Sequence, residues 1–282
     1  MTQPIILSYV QVGPLLAARN KGLPSIDISP DLGLTTMTVT LAGEGIGFPC
    51  GEWLDWQSIE KISKSEVNCF LVEDNAIRSI QVFSEYTNRV CSLFPTKGAP
   101  SMLIAGFVMH RIKDTDPIQN ARRMIAAITP ITGRVLDTAT GLGYTAIEAA
   151  RSADEVVTVE LDPGAQEIAR LNPWSRELFV NPKIQQIMGD IYEVVQGFDD
   201  ESFRRIIHDP PTLSLAGDLY SGAFYRQLYR VLRRGGRLYH YIGDPNSKAS
   251  GSITTGALRR LQEAGFTRVV RKAEAYGVVA YK

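Results

Sequence analysis

Hydrophobic positions change their period partway along the chain. Thr35–Leu41 alternates through Met37, Val39 and Leu41, and short apolar runs return in Val67–Glu73, Ala76–Ser84, Arg89–Phe94 and Met102–Phe107. Successive side chains of a strand point to opposite faces, so these runs predict short strands. Turn-forming residues separate them at Ala42–Gly47, Asp74-Asn75, Tyr86–Asn88 and Pro95–Pro100. Asp55–Lys64 has helical spacing instead, with Ile59 and Ile62 on its inner face. Residues 1–115 are therefore expected to form a small β-rich module.

From Asp116 the pattern becomes alternating helix and strand. Asp116-Pro117 supplies an N-cap and a first-turn proline for a helix to about Ile128. Strands are predicted at Arg134–Thr138, Glu155–Glu160, Ile184–Met188, Arg205–His208 and Arg237–Ile242. Helices are predicted at Thr145–Arg151, Gly164–Leu171, Tyr220–Leu232 and Thr254–Ala264. Repeated βα units imply an α/β fold, a parallel sheet with helices on both faces. Thr267–Lys272 and Tyr276–Tyr281 leave no room for a helix between them, so one of these last strands must run antiparallel.

Composition narrows the class. The 282 residues suffice for two domains, and 44% hydrophobic with 21% charged residues excludes a mainly disordered chain. Thirty basic and thirty acidic side chains exclude a strongly cationic mode of nucleic-acid binding, though not a local basic face. Cys50, Cys69 and Cys91 form no C-x-x-C pair, so neither a disulfide framework nor a zinc site is expected. Met1–Leu16 lacks a basic leader, and no window reaches the ~18 uninterrupted apolar residues of a membrane span. The expectation is a cytoplasmic protein without a membrane or metal partner.

The richest stretch is Val135-Leu136-Asp137-Thr138-Ala139-Thr140-Gly141-Leu142-Gly143-Tyr144-Thr145-Ala146. Gly141 and Gly143 let the backbone turn sharply before a helix whose first amides can face a ligand. Its G-x-G-x-x-A spacing also fits a dinucleotide loop. Asp137, however, ends the strand four residues before the first glycine, and a carboxylate there repels a pyrophosphate. It suits a cation carrying an ammonium and a sulfonium, and S-adenosylmethionine is such a ligand. Glu160 closes the next strand, where a carboxylate can accept both hydroxyls of a ribose. Asp190, followed by Ile191, ends the third and can accept from an adenine amino group. These ends share the carboxyl edge of the sheet, where open α/β sheets bind ligands.

On these residues the segment Asp116–Lys282 resembles the class I S-adenosylmethionine-dependent methyltransferases. The resemblance implies a Rossmann-like seven-stranded sheet ending in an antiparallel hairpin, beside the smaller β-rich N-terminal domain. Met109-His110-Arg111-Ile112-Lys113, Leu171-Asn172-Pro173-Trp174-Ser175 and His208-Asp209-Pro210-Pro211 are similar to an archaeal family of predicted methyltransferases. That family implies the cofactor without naming an acceptor.

Ile206-Ile207-His208-Asp209-Pro210-Pro211 resembles the Asp/Asn-Pro-Pro-aromatic motif of enzymes that methylate exocyclic amines. Asp209 and the Pro210 carbonyl can hold the amine hydrogens, and the prolines fix the carbonyl's direction. Pro211, Thr212 and Tyr220 are candidate substrate contacts. Thr212 stands where the motif has an aromatic ring, which Tyr220, Phe224 or Tyr225 would have to supply. The run Asp209–Ser214 is also similar to ribosomal-RNA base methyltransferases. Carbon-5 pyrimidine methylation needs a nucleophilic cysteine, and none follows Cys91.

The cofactor set is thus Asp137, Thr138, Gly141, Gly143, Glu160, Asp190 and Ile191, and the catalytic set Asp209, Pro210 and His208. His208 either orients Asp209 or relays a proton to it, or packs against a helix; His110 either covers the methionine end of the cofactor or packs between domains; His240 reads as structural. Arg226, Arg230, Arg233 and Arg234 fall at helical spacings, as a solvated face or an RNA track. The acceptor stays open between an RNA and a small molecule. Aminopropyl transfer of the polyamine-synthase type and a non-catalytic cofactor-binding module remain alternatives.

Overall fold

The computed structural model describes residues 4–213, 215–243 and 248–282, with side chains of the last stretch from Thr254 onward. Ser214 and Met1–Gln3, which fall within the sequence motifs above, lie outside the described residues. The chain forms two compact units, Met1–Pro117 with Gly164–Arg176, and Ile118–Pro163 with Glu177–Lys282.

Among its described residues the first unit contains three small antiparallel sheets and three α-helices, the last of them Pro163–Leu171, which enters the unit from Gly164. Ile5–Leu7, Phe70–Glu73 and Ala76–Ser79 form one sheet, and Ser25–Ile28, Met37–Leu41, Gly45–Gly47 and Trp53–Asp55 a second. The third comprises Gln81–Ser84, Arg89–Phe94, Ser101–Ile104 and Phe107–Val108. The expected helix is Trp56–Ser63, capped by the Asp55 carboxylate, with Ile59 and Ile62 fully buried. A second helix, Tyr9–Asn20, was not legible, because Gly13 and Pro14 break its pattern. A reciprocal cap between Ser8 and Gln11 and burial of Val12, Leu15 and Ala18 outweigh them.

Other boundaries differ for local reasons. Ala76–Ser84 is two strands interrupted at Ile80, and the expected turn Ala42–Gly47 contains the strand Gly45–Gly47. Met102–Phe107 reverses at Ala105-Gly106, both at positive φ. The run Leu171–Ser175 packs within the first unit, where the Trp174 indole Nε1 donates to the Leu32 carbonyl at 3.1 Å.

The second unit is built on seven strands: β1 Arg134–Asp137, β2 Glu155–Glu160, β3 Ile184–Met188, β4 Phe203–His208, β5 Leu232–Tyr241, β6 Arg268–Lys272 and β7 Gly277–Tyr281. Their order is β3-β2-β1-β4-β5-β7-β6. β1 to β5 pair in parallel, whereas β7 runs antiparallel to both β5 and β6. The mixed α/β sheet and its antiparallel end agree with the topological expectation. Phe203, Ile206, Phe224, Leu228 and Leu238 fill its core. The order reverses at β1, so the crevice between the carboxyl ends of β1 and β4 is the ligand position for such a sheet.

One correction concerns the arginines. The helix Gly222–Val231 ends before Arg233 and Arg234, which belong to β5, so the four side chains do not share one helical face.

Gly143 caps the helix Tyr144–Ala150 at φ 77°, and a Cβ there would lie 2.7 Å from Leu178 Cδ2. Strain and overlap coincide at this position. Gly143→Ala is expected to destabilise the protein by about 1–3 kcal/mol, read as a lowered denaturation midpoint.

Candidate active site

Asp137 ends β1 with its side chain fully buried. Oδ2 accepts from the Thr145 hydroxyl at 2.9 Å and the Thr158 hydroxyl at 3.2 Å, while buried Oδ1 has no partner among the described residues. Loss of water pushes this acid up to about 8; the charge of Asp209 adds to the rise, and the two hydroxyl bonds and the nearby backbone amide of Ala139 oppose it.

Glu160 at the end of β2 holds the glycine loop. Its Oε2 accepts from Gly141 N at 2.8 Å and its Oε1 from Asp162 N at 2.9 Å. Burial pushes Glu160 up to about 7 against these backbone bonds. Asp190 is exposed, and its Oδ1 caps the short helix Ile191–Val194 through Tyr192 N at 2.9 Å. Ile191 is buried in the core.

Asp209 follows β4, half-buried, with no hydrogen bond to its carboxylate among the described residues. Burial pushes it up to about 7. Pro210 is buried, Pro211 half-buried and Thr212 exposed. Asp209 also opposes ionisation of Tyr220 and Tyr239. Among the described residues, none of the electrostatic causes acting on Asp137, Glu160 or Asp209 is a basic side chain.

His208 is fully buried, and both ring nitrogens are engaged. Nε2 lies 3.0 Å from the Leu219 carbonyl, which can only accept, so Nε2 carries the proton. Nδ1 then accepts from the Thr138 hydroxyl at 2.7 Å, which turns that side chain toward the histidine. Burial holds His208 well below the usual imidazole range. His240 packs 4.4 Å from His208 between ring centroids and lies 2.9 Å from the Tyr225 hydroxyl through Nε2. Burial lowers it to about 4, in keeping with its structural reading.

Tyr220 donates its hydroxyl to the Pro211 carbonyl at 3.0 Å, and its own carbonyl accepts from Arg260 Nε at 2.8 Å. Sequence reasoning missed Arg260 as a brace of this segment; nothing in the spacing of the arginines signals it. His110 lies in the first unit, with Nδ1 3.0 Å from Ser101 Oγ, and burial lowers it to about 4. Arg230 binds Asp200 and the Phe198 and Val195 carbonyls, and Arg234 pairs with Glu201. Among the described residues no group of three metal-binding side chains occurs and no helix is long and apolar enough to cross a membrane.

The family model described as a methyltransferase domain matches residues 136–240. The uncharacterised protein MJ1233 of Methanocaldococcus jannaschii is 43% identical over 237 residues, spanning 83% of this chain and 80% of that protein. The chain belongs to the family of MJ1233 and carries a methyltransferase domain. Solved structures share the fold. A spermidine synthase in complex with the transition-state analogue AdoDATO matches at TM-score 0.58 and 19% identity, over 73% of this chain and 75% of that one. The spermidine synthase of Thermotoga maritima matches at TM-score 0.56, with the same identity and coverage. The methyltransferase domain spans β1 to most of β5, so it contains Asp137, the glycine loop, Glu160, Asp190 and Asp209. Methyltransferase membership implies S-adenosylmethionine as methyl donor.

Buried Asp137 has a consequence for the unliganded domain. Its folded-state value, about 8, exceeds its ordinary 3.8, so the protonated form favours folding. The contribution is complete below pH 4 and is lost as pH rises through 8, at about 1.4 kcal/mol per unit. Asp137→Asn is neutral throughout and is expected to gain about 2–3 kcal/mol relative to wild type between pH 6 and 8. Paired denaturation curves at the two pH values check this; parallel loss in both proteins would contradict it.

Proposed function

We propose that the chain transfers the methyl group of S-adenosylmethionine to an amino nitrogen. The observation that carries this reading is the unpartnered, fully buried Asp137 Oδ1 at the end of β1. An orphaned buried acceptor is costly unless a ligand completes it, and a carboxylate calls for a cationic donor. Asp137 would hold the ammonium, with backbone of Thr138, Gly141 and Gly143 around it. Glu160 would hold the ribose, and Asp190 with Ile191 the adenine. When bound, the cofactor supplies an electrophilic methyl on a sulfonium.

Asp209 and the Pro210 carbonyl would direct the acceptor nitrogen, with Pro211, Thr212 and Tyr220 shaping its surroundings. His208 fits a positioning role, because both nitrogens are engaged and Nε2 braces Leu219. In this reading residues 116–282 carry the cofactor and residues 1–115 form a separate module.

Calorimetric titration with S-adenosylmethionine, its decarboxylated form and NAD tests the proposal. Tight binding of the first alone is expected. Preference for the decarboxylated donor would favour aminopropyl transfer, a second reading prompted by the spermidine synthases of similar fold. The methyltransferase model over residues 136–240 and the Thr138-Ala139-Thr140 start of the loop favour methylation.

A further inference from the structure

Resting on that reading, we propose that the acceptor is an aliphatic amine that enters as a cation, and not the amino group of a nucleobase. Two independent observations carry this choice: the rings that could replace the motif's aromatic residue are engaged within the protein, and the charge of the described residues at the site has the wrong sign for a polyanion.

A planar base needs a ring face. Thr212 takes the motif's aromatic position, leaving Tyr220, Phe224 and Tyr225 as substitutes. Tyr220 is 6% exposed, with its hydroxyl on Pro211 and its ring 5.3 Å from His240. Phe224 and Tyr225 are fully buried; Phe224 stacks on Tyr192, and Tyr225 bonds His240. Tyr239 is fully buried, with its hydroxyl on the Ala275 carbonyl. Tyr241 alone of this group is half-buried, and one ring flanks an alkyl chain as readily as a base.

The electrostatics agree. Asp137, Glu160 and Asp209 lie along the carboxyl edge, and among the described residues no basic side chain acts on them. A base arrives attached to phosphates, which need cations. Arg230, Arg234 and Arg259 have acidic partners, Arg237 reaches the Thr129 carbonyl, and Arg260 braces Tyr220. Asp137 and Glu160 match the cofactor's ammonium and ribose, so Asp209 remains to attract an ammonium of the acceptor.

The step balances without a further reactant. The ammonium R–NH3+ gives one proton to the Asp209 carboxylate and becomes R–NH2. Its nitrogen lone pair attacks the methyl carbon; the N–C bond forms as the C–S bond breaks. Sulfur keeps that electron pair as a neutral thioether, and R–NH2+–CH3 departs as a cation. The proton on Asp209 returns to water.

The test titrates the full chain with propylamine, 1,4-diaminobutane and spermidine, with and without S-adenosylhomocysteine, and separately with S-adenosylmethionine. Methyl-labelled donor is then offered with each amine and with unmodified RNA transcripts. At least one amine should bind and take label, and the RNA should take none. Asp209→Asn should weaken that amine by at least about tenfold while changing affinity for S-adenosylmethionine by less than about threefold. Labelling of an RNA base, failure of every amine to bind, or equal amine affinity in wild type and Asp209→Asn would overturn the proposal. Failure of S-adenosylmethionine to bind would instead overturn the methyl-donor reading, since amine titration without the donor is scored separately.

Discussion

Asp209→Ala is expected to lower methyl transfer by about 10²- to 10⁴-fold, the range for removing a positioned acid–base group. The carboxylate makes no hydrogen bond among the described residues, so its loss breaks no fastening of the fold. Its neighbours are braced independently: Tyr220 holds the Pro211 carbonyl, Arg260 the Tyr220 carbonyl and His208 the Leu219 carbonyl. Thermal stability should therefore change little while turnover collapses. Removing the Asp209 charge also relieves one cause of the high Asp137 value. Donor affinity near pH 7 should hold or rise slightly. Label uptake measured beside a donor titration separates the effects; wild-type turnover in the variant would remove Asp209 from the chemistry.

The sheet was legible because its information is local. β2 and β3 begin and end where the sequence predicts them, and the short Lys272–Gly277 connection alone demanded an antiparallel neighbour. The strand-end positions of Asp137 and Glu160 were legible for the same reason, whereas Asp190 lies two residues beyond β3 as the cap of the next helix. What the sequence concealed depends on contacts between distant residues. The Thr138–His208 bond spans 70 positions and the Arg260–Tyr220 bond 40, and neither follows from a spacing rule. A histidine beside Asp209 invites a proton-relay reading until its two nitrogens are seen to be occupied. Arg233 and Arg234 misled through a helix boundary, because the strand starts immediately after Val231.

Affinity for S-adenosylmethionine should rise steeply with pH from the acid side, because the buried acids that would hold it are protonated in the unliganded protein. Asp137 lies at about 8 and Glu160 at about 7, each raised chiefly by burial. Only ionised Asp137 can neutralise the donor's ammonium, so apparent affinity is multiplied by the ionised fraction. That fraction increases about twentyfold between pH 6 and 7.5 for a value near 8, and Glu160 steepens the lower part. The charges bearing on Asp137 come from Asp209 and on Glu160 from Asp162; both are acidic, so both delay ionisation. Binding should accordingly release protons, which calorimetry in buffers of different ionisation heat measures. Asp137→Asn should bind weakly with a much flatter pH profile, set by Glu160. A wild-type affinity independent of pH across this window would mean that Asp137 does not meet the donor's positive charge.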